Sequence, residues 1–143
     1  MTKLIFLKST LLATMLLLCA GCFSDKVDLR GKVTYSDDGT PVPAGIVIFE
    51  KEGYMSRASI SPDGTYVVGS ESKKDGIPPG TYKISVINAV EKIGETAAKM
   101  PITRPLIDPK YTSHAQSGLT IEVGKSAQSL DLSLDRYQSS QKK

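Results

Sequence analysis

The residues Ile77-Pro78-Pro79-Gly80-Thr81-Tyr82-Lys83-Ile84-Ser85-Val86-Ile87 place the tightest limit on what this chain can become. Two prolines fix φ and forbid a helix, and Gly80 gives the backbone freedom to reverse. From there the sequence alternates, with Tyr82, Ile84 and Val86 on one side and Thr81, Lys83 and Ser85 on the other. A period of two marks a strand with one face buried. The stretch is expected to form the central strand of a small β-sandwich, with the other segments pairing to it or packing on it.

The surrounding sequence supplies six more strands. Val27, Leu29, Val33 and Tyr35 share odd positions, and Gly31 among them marks a bulge or a close backbone approach. Residues 36–41 form an aspartate- and glycine-based turn, with too few carboxylates for a calcium loop. Ile46-Val47-Ile48-Phe49-Glu50 is an apolar, β-branched run. Residues 55–69 read as a hairpin about the turn Ser61-Pro62-Asp63-Gly64. Leu119, Ile121 and Val123 alternate with polar residues, and so do Leu130, Leu132 and Leu134. Between them, residues 89–117 hold Pro101, Pro105 and Pro109 and no sustained period, and read as a long loop with at most one helical turn at residues 97–100.

The expected core is Leu29, Val33, Ile46, Ile48, Ile60, Tyr66, Val68, Tyr82, Ile84 and Val86, with Leu119, Ile121, Val123, Leu130, Leu132 and Leu134. Seven strands with turns at short spacing and no helix within residues 27–135 predict an all-β sandwich. Residues 136–143 are expected to be a frayed polar tail.

The first 22 residues read as an address. Lys3 and Lys8 precede the apolar run Leu11-Leu12-Ala13-Thr14-Met15-Leu16-Leu17-Leu18, followed by small residues. This is the layout of a secretory signal, too short to span a bilayer. Its end, Cys19-Ala20-Gly21-Cys22, resembles a bacterial lipobox with cysteine where leucine is usual. That resemblance implies a signal peptide over residues 1–21, acylation of Cys22, and a lipidated tether over residues 22–26. Ordinary secretion, with cleavage after Ala20 or Gly21, is the alternative. Phe23-Ser24 in place of an aspartate after the cysteine favours the outer membrane over retention in the inner one.

Charge excludes little beyond nucleic acid. Without the leader the chain carries 16 basic and 15 acidic side chains, with no basic stripe. His114 is the one histidine, which leaves a zinc site short of ligands, and no other metal or cofactor is indicated. Ser113-His114 lacks the strained elbow of a serine hydrolase. An internal isopeptide bond from Lys32 lacks an asparagine on the last strand, where Asp131 and Asp135 stand.

Gly31-Lys32-Val33 followed by Gly39-Thr40-Pro41-Val42-Pro43-Ala44-Gly45-Ile46-Val47 resembles the opening of carboxypeptidase-regulatory-like domains. Asp63-Gly64-Thr65-Tyr66 and Pro79-Gly80-Thr81-Tyr82 are similar to that family's two Gly-x-Tyr strand starts. Ile107-Asp108-Pro109-Lys110-Tyr111 with Ser117-Gly118-Leu119-Thr120 is similar to small bacterial lipoproteins built on such a domain. The resemblance implies a seven-stranded transthyretin-like sandwich over residues 27–135 and no catalysis. A purine-pathway hydrolase of that fold would need several histidines.

The expected function is therefore that of a non-enzymatic, lipid-anchored module on the periplasmic face or outer membrane, with another envelope protein as partner. The alternative is a glycan- or small-ligand-binding module using exposed Tyr54, Tyr111 or Tyr137. Met100, Pro105, Tyr111 and His114 are the candidate residues of an interaction loop.

Overall fold

The computed structural model describes residues 26–69 and 75–139. Cys22 and the expected signal peptide lie outside the described residues. Ten strands account for about half of the described chain, with one 3-10 turn at Pro109–Thr112. They are β1 (Leu29–Tyr35), β2 (Ile46–Lys51), β3 (Tyr54–Ser59), β4 (Thr65–Val67) and β5 (Gly80–Ile87), then β6 (Val90–Glu95), β7 (Pro101–Pro105), β8 (Leu119–Val123), β9 (Gln128–Ser129) and β10 (Leu132–Leu134). All seven expected strand segments have counterparts. β6, β7 and β9 are additional.

Two four-stranded sheets face each other. One has the order β10-β1-β4, with β9 also on β1, and the other runs β3-β2-β5-β8. β5 is an inner strand, antiparallel to β2 with Phe49 opposite Ile84 and to β8 with Tyr82 opposite Ile121. Its alternating face is buried as its sequence requires: Tyr82, Ile84 and Val86 are all but inaccessible. Leu29, Val33, Tyr66 and Leu134 meet them from the other sheet. The rings of Phe49 and Tyr66 lie 6.1 Å apart across the interface, and Phe49 meets Tyr82 edge-on at 6.5 Å.

Three expectations about the sandwich are corrected. In β2 the buried residues are Val47 and Phe49, while Ile46 and Ile48 face outward and are only partly covered. An unbroken apolar run carries no phase, and the larger ring of Phe49 takes the interior. Residues 55–69 are not a simple hairpin. β3 pairs with β2, and β4 pairs with β1, placing Tyr66 opposite Gly31. Only a single bridge, Arg57 to Gly69, joins the two segments, so the turn at Ser61–Gly64 carries the chain from one sheet to the other. Leu119, Ile121 and Leu130, expected in the core, are partly buried against its edge.

The segment 89–117 is not a structureless loop. β6 and β7 form an antiparallel hairpin that pairs with neither sheet, and Ala97–Lys99 make its turn. Ile107 and Tyr111 then return to the core. The tail is anchored at its start, too. The Tyr137 amide donates to the Leu106 carbonyl at 3.1 Å, and Arg136 stacks on Tyr35 while binding Asp37, Asp38 and Thr40.

The sandwich has two distinct ends. At one, Val27 and Ile77 exchange backbone hydrogen bonds of 2.8 and 3.0 Å just before β5 begins. At the other, beyond Ile87 and Tyr35, the β6–β7 hairpin projects. Eight residues of β5 separate them, roughly 24 Å at strand rise.

Candidate functional site

The hairpin is the most unusual surface of the molecule. Six large apolar side chains are well exposed among the described residues, and four of them sit here: Val90, Ile93, Met100 and Ile102. Exposure gathered on one element makes the hairpin the candidate interaction surface, whereas scattered apolar residues need no explanation. Its polar side chains are largely occupied with each other. Arg104 donates through Nε to Glu91 at 2.6 Å, and Lys92 pairs with Glu95.

The backbone of the hairpin is closed to strand addition along one side. The Leu106 amide donates inward to Ala89, and the Met100 carbonyl accepts inward from Thr96. Alternation then turns residues 101, 103 and 105 outward, and two of these are prolines with no N–H to offer. On the other side, the register shifts between Lys92 and Gly94, which bulges β6 at Ile93. Prolines and bulges both blunt sheet edges. Any contact on this surface is therefore limited to side chains, without an added strand.

At the base of the hairpin lies an apolar notch of 180 Å³, lined by Val86, Asn88, Ala89, Val90, Pro105, Ile107, Pro109 and Thr112. A second, more polar cleft of 270 Å³ lies beside it between Tyr35, Glu91, Arg104 and Arg136.

A third cleft, of 330 Å³, opens on the outer face of the β2-β5-β8 sheet between Glu50, Thr81, Lys83, His114 and Thr120. His114 Nδ1 lies 3.0 Å from Glu50 Oε2. The loop that carries His114 is pinned nearby, because Ser117 donates from its hydroxyl to the Ile84 carbonyl and is buried. A carboxylate on Nδ1 orients an imidazole. Ser113, the neighbouring hydroxyl, instead accepts from the Ala115 amide at 3.3 Å. Among the described residues no hydroxyl hydrogen-bonds this imidazole, and no three His, Cys, Asp or Glu side chains gather as metal ligands.

The four candidate loop residues are thus dispersed. Met100 stands at the hairpin turn, 63% exposed, and Pro105 is exposed in β7. His114 belongs to the outer cleft. Tyr111 is buried, its hydroxyl donating to Asp135 at 3.1 Å, so it offers no stacking surface. Tyr54 is half-covered, edge-on to Tyr82 at 6.1 Å, and Tyr137 is partly covered. Sequence reading missed Glu50, Val90, Ile93 and Ile102. Ile93 and Ile102 flank the turn at 97–99, a signal a hairpin search would have used, whereas Glu50 and His114 are far apart in sequence.

Comparison with protein-family models, with curated proteins and with solved structures finds no match to this chain. Among the described residues no helix is long and apolar enough to cross a membrane.

Proposed function

We propose that the chain is a non-enzymatic, lipid-anchored module of the cell envelope whose β-sandwich presents a protein-binding hairpin. The finer fold assignment, a seven-stranded transthyretin-like domain of the carboxypeptidase-regulatory-like kind, belongs to the same proposal. It rests on the resemblance of Gly31–Val33, Gly39–Val47 and the two Gly-x-Tyr strand starts. Both tyrosines of those motifs are buried with their hydroxyls bonded to carbonyls, Tyr66 to Leu130 and Tyr82 to Pro78, which supports a structural role for them.

One observation carries the functional reading. The chain enters the sandwich at Val27, and the apolar hairpin leaves from the opposite end. Acylated at Cys22, with four residues before Val27, the domain would be held to a bilayer by one end and extend its hairpin from the other. Several acyl chains give stable anchoring where one does not. Cys22→Ser is expected to abolish acylation and release the protein from the membrane fraction. Unchanged membrane association in that variant defeats the anchoring reading.

The cleft around His114 favours a second reading, a small polar ligand or glycan held on the outer sheet face. Its walls offer both charges and two hydroxyls but no aromatic platform. A glycan array probed with the protein tests this. Binding that His114→Ala removes would establish it, and a blank array would dispose of it.

A further inference from the structure

We infer that the free edge of β8 receives an extended segment of another protein as a fifth strand of the β3-β2-β5-β8 sheet, and that this segment carries a lysine or arginine to face Glu122. The surface is separate from the β6–β7 hairpin, and its occupation does not depend on what the hairpin binds.

The ladder fixes which backbone groups of β8 point outward. The Gly45 carbonyl accepts from the Ile60 amide at 2.9 Å, so Gly45, Val47 and Phe49 turn their backbone groups toward β3. Ile46, Ile48 and Glu50 turn theirs toward β5, which leaves Gly80, Tyr82 and Ile84 to bond with β8. Their partners there are Val123, Ile121 and Leu119. Thr120 and Glu122 therefore aim their N–H and C=O groups away from the sheet. Gly124 belongs to the same outward set, and the Gln128 side chain caps its amide at 2.9 Å. No hydrogen bond among the described residues uses the outward groups of Thr120 and Glu122. An unpaired row of this kind is a template for another strand.

Elsewhere the edges are tied. Arg57 bridges to Gly69, joining β3 to β4, and past the end of β10 the Asp108 amide donates to the Asp135 carbonyl at 2.9 Å. β8 has no proline and no bulge, and its register with β5 is unbroken. Its apolar side chains are unfinished too. Tyr82 and Ile84 are inaccessible, while Ile121 and Leu119 opposite them are only partly covered. A strand beyond β8 would cover these two as β8 covers β5.

Charge selects the occupant. Glu122 faces Thr81 across the ladder and has no ion-pair partner among the described residues. An added strand places one side chain directly opposite it, and a cation there is the favourable choice. A second copy does not supply one. Pairing β8 antiparallel to itself through the outward groups sets Gly118, Thr120 or Glu122 opposite Glu122, according to register. The occupant is therefore an extended segment, basic at one position and aliphatic at the two beside it. In strand addition the main chain gives affinity and alternate side chains give specificity. β8 is five residues long, so the contact is short and the binding weak and reversible.

An array of synthetic hexapeptides that alternate valine with a varied residue, probed with the purified full-length protein in mild detergent, tests the docking. Peptides with lysine or arginine at a varied position are expected to bind about tenfold or more tightly than those with glutamate or aspartate. Glu122→Lys should invert that order. Thr120→Pro removes an outward N–H at a place where an edge strand tolerates proline, and should abolish binding with the circular dichroism spectrum unchanged. If Thr120→Pro disturbs the fold, the inversion by Glu122→Lys decides alone. A blank array overturns the proposal, and so does binding that both substitutions leave unaltered. A dimer in sedimentation equilibrium that Thr120→Pro dissolves would give the edge to a second copy and likewise overturn it. None of these outcomes turns on acylation at Cys22 or on the hairpin.

Discussion

The hydroxyl of Tyr66 donates to the carbonyl oxygen of Leu130 at 2.6 Å, reaching past Gly31 to tie β4 to the link between β9 and β10. Tyr66 lies opposite Gly31 in the ladder, and the Leu130 carbonyl, with the Tyr66 hydroxyl beside it, fills the space a side chain there would take. Removing the hydroxyl leaves the ring in place and isolates the bond. Tyr66→Phe is expected to cost about 1–2 kcal/mol in urea denaturation, since the group is buried and its acceptor loses a partner.

Tyr54 makes the opposite case. Its hydroxyl is buried and has no hydrogen-bond partner among the described residues. A buried, unpaired polar group destabilises, so Tyr54→Phe should be neutral or stabilising by up to about 1 kcal/mol in the same assay. A loss matching that of Tyr66→Phe would mean the hydroxyl is satisfied.

Gly31→Ala tests the close approach directly. A Cβ at this position would stand 1.7 Å from the Leu130 carbonyl oxygen, a backbone atom with no freedom to swing aside. The strands must part, and a loss above about 4 kcal/mol, or failure to fold, is expected. Circular dichroism and a denaturation curve decide it.

The phase of β2 is open to test by a pair of substitutions. Phe49→Ala empties the contact between Tyr66 and Tyr82 and is expected to cost about 3–5 kcal/mol. Ile48→Ala, on the outer and only partly covered face, should cost about 1 kcal/mol. Equal losses would place Ile48 inside.

Stability should fall in acid for reasons that name two residues. Hydrogen bonds from Thr40, reinforced by Arg136, hold the Asp38 carboxyl down to about 2. Lys110, with Ser36 and Tyr111, does the same for Asp135, also to about 2. A folded value below the ordinary 3.8 means the stabilisation is complete above that pH and drains away as pH drops toward 2. Asp135→Asn should flatten part of this slope in pH-dependent urea titrations. In alkali the sign reverses for Tyr82, which burial pushes up to about 12: its contribution is intact below pH 10 and disappears as pH rises through 12. The part of the tyrosinate absorbance that Tyr82→Phe removes should therefore appear late and together with unfolding.

Strands with one buried face were legible in the sequence because alternation carries phase. β5 and β10 show it, with Tyr82, Ile84 and Val86 and then Leu132 and Leu134 all buried. β2 was legible as a strand but not in its orientation, since Ile46–Phe49 are apolar on both sides. The β6–β7 hairpin left no alternating pattern because neither of its faces packs on the core. Tyr111 sat among prolines and charges and gave no hint of burial; its place depends on Asp135, in the last part of the chain. The outer cleft required the fold itself, which alone brings Glu50 beneath His114.

The placement of Val27 and the hairpin at opposite poles has a mechanical consequence. Tension applied between them would run lengthwise along β1 and β5, in the direction of their ladders rather than across them. Bonds loaded in that manner share the force and must rupture together, not open in succession like a zipper. A domain pulled by its leash and by its prong would resist as a unit.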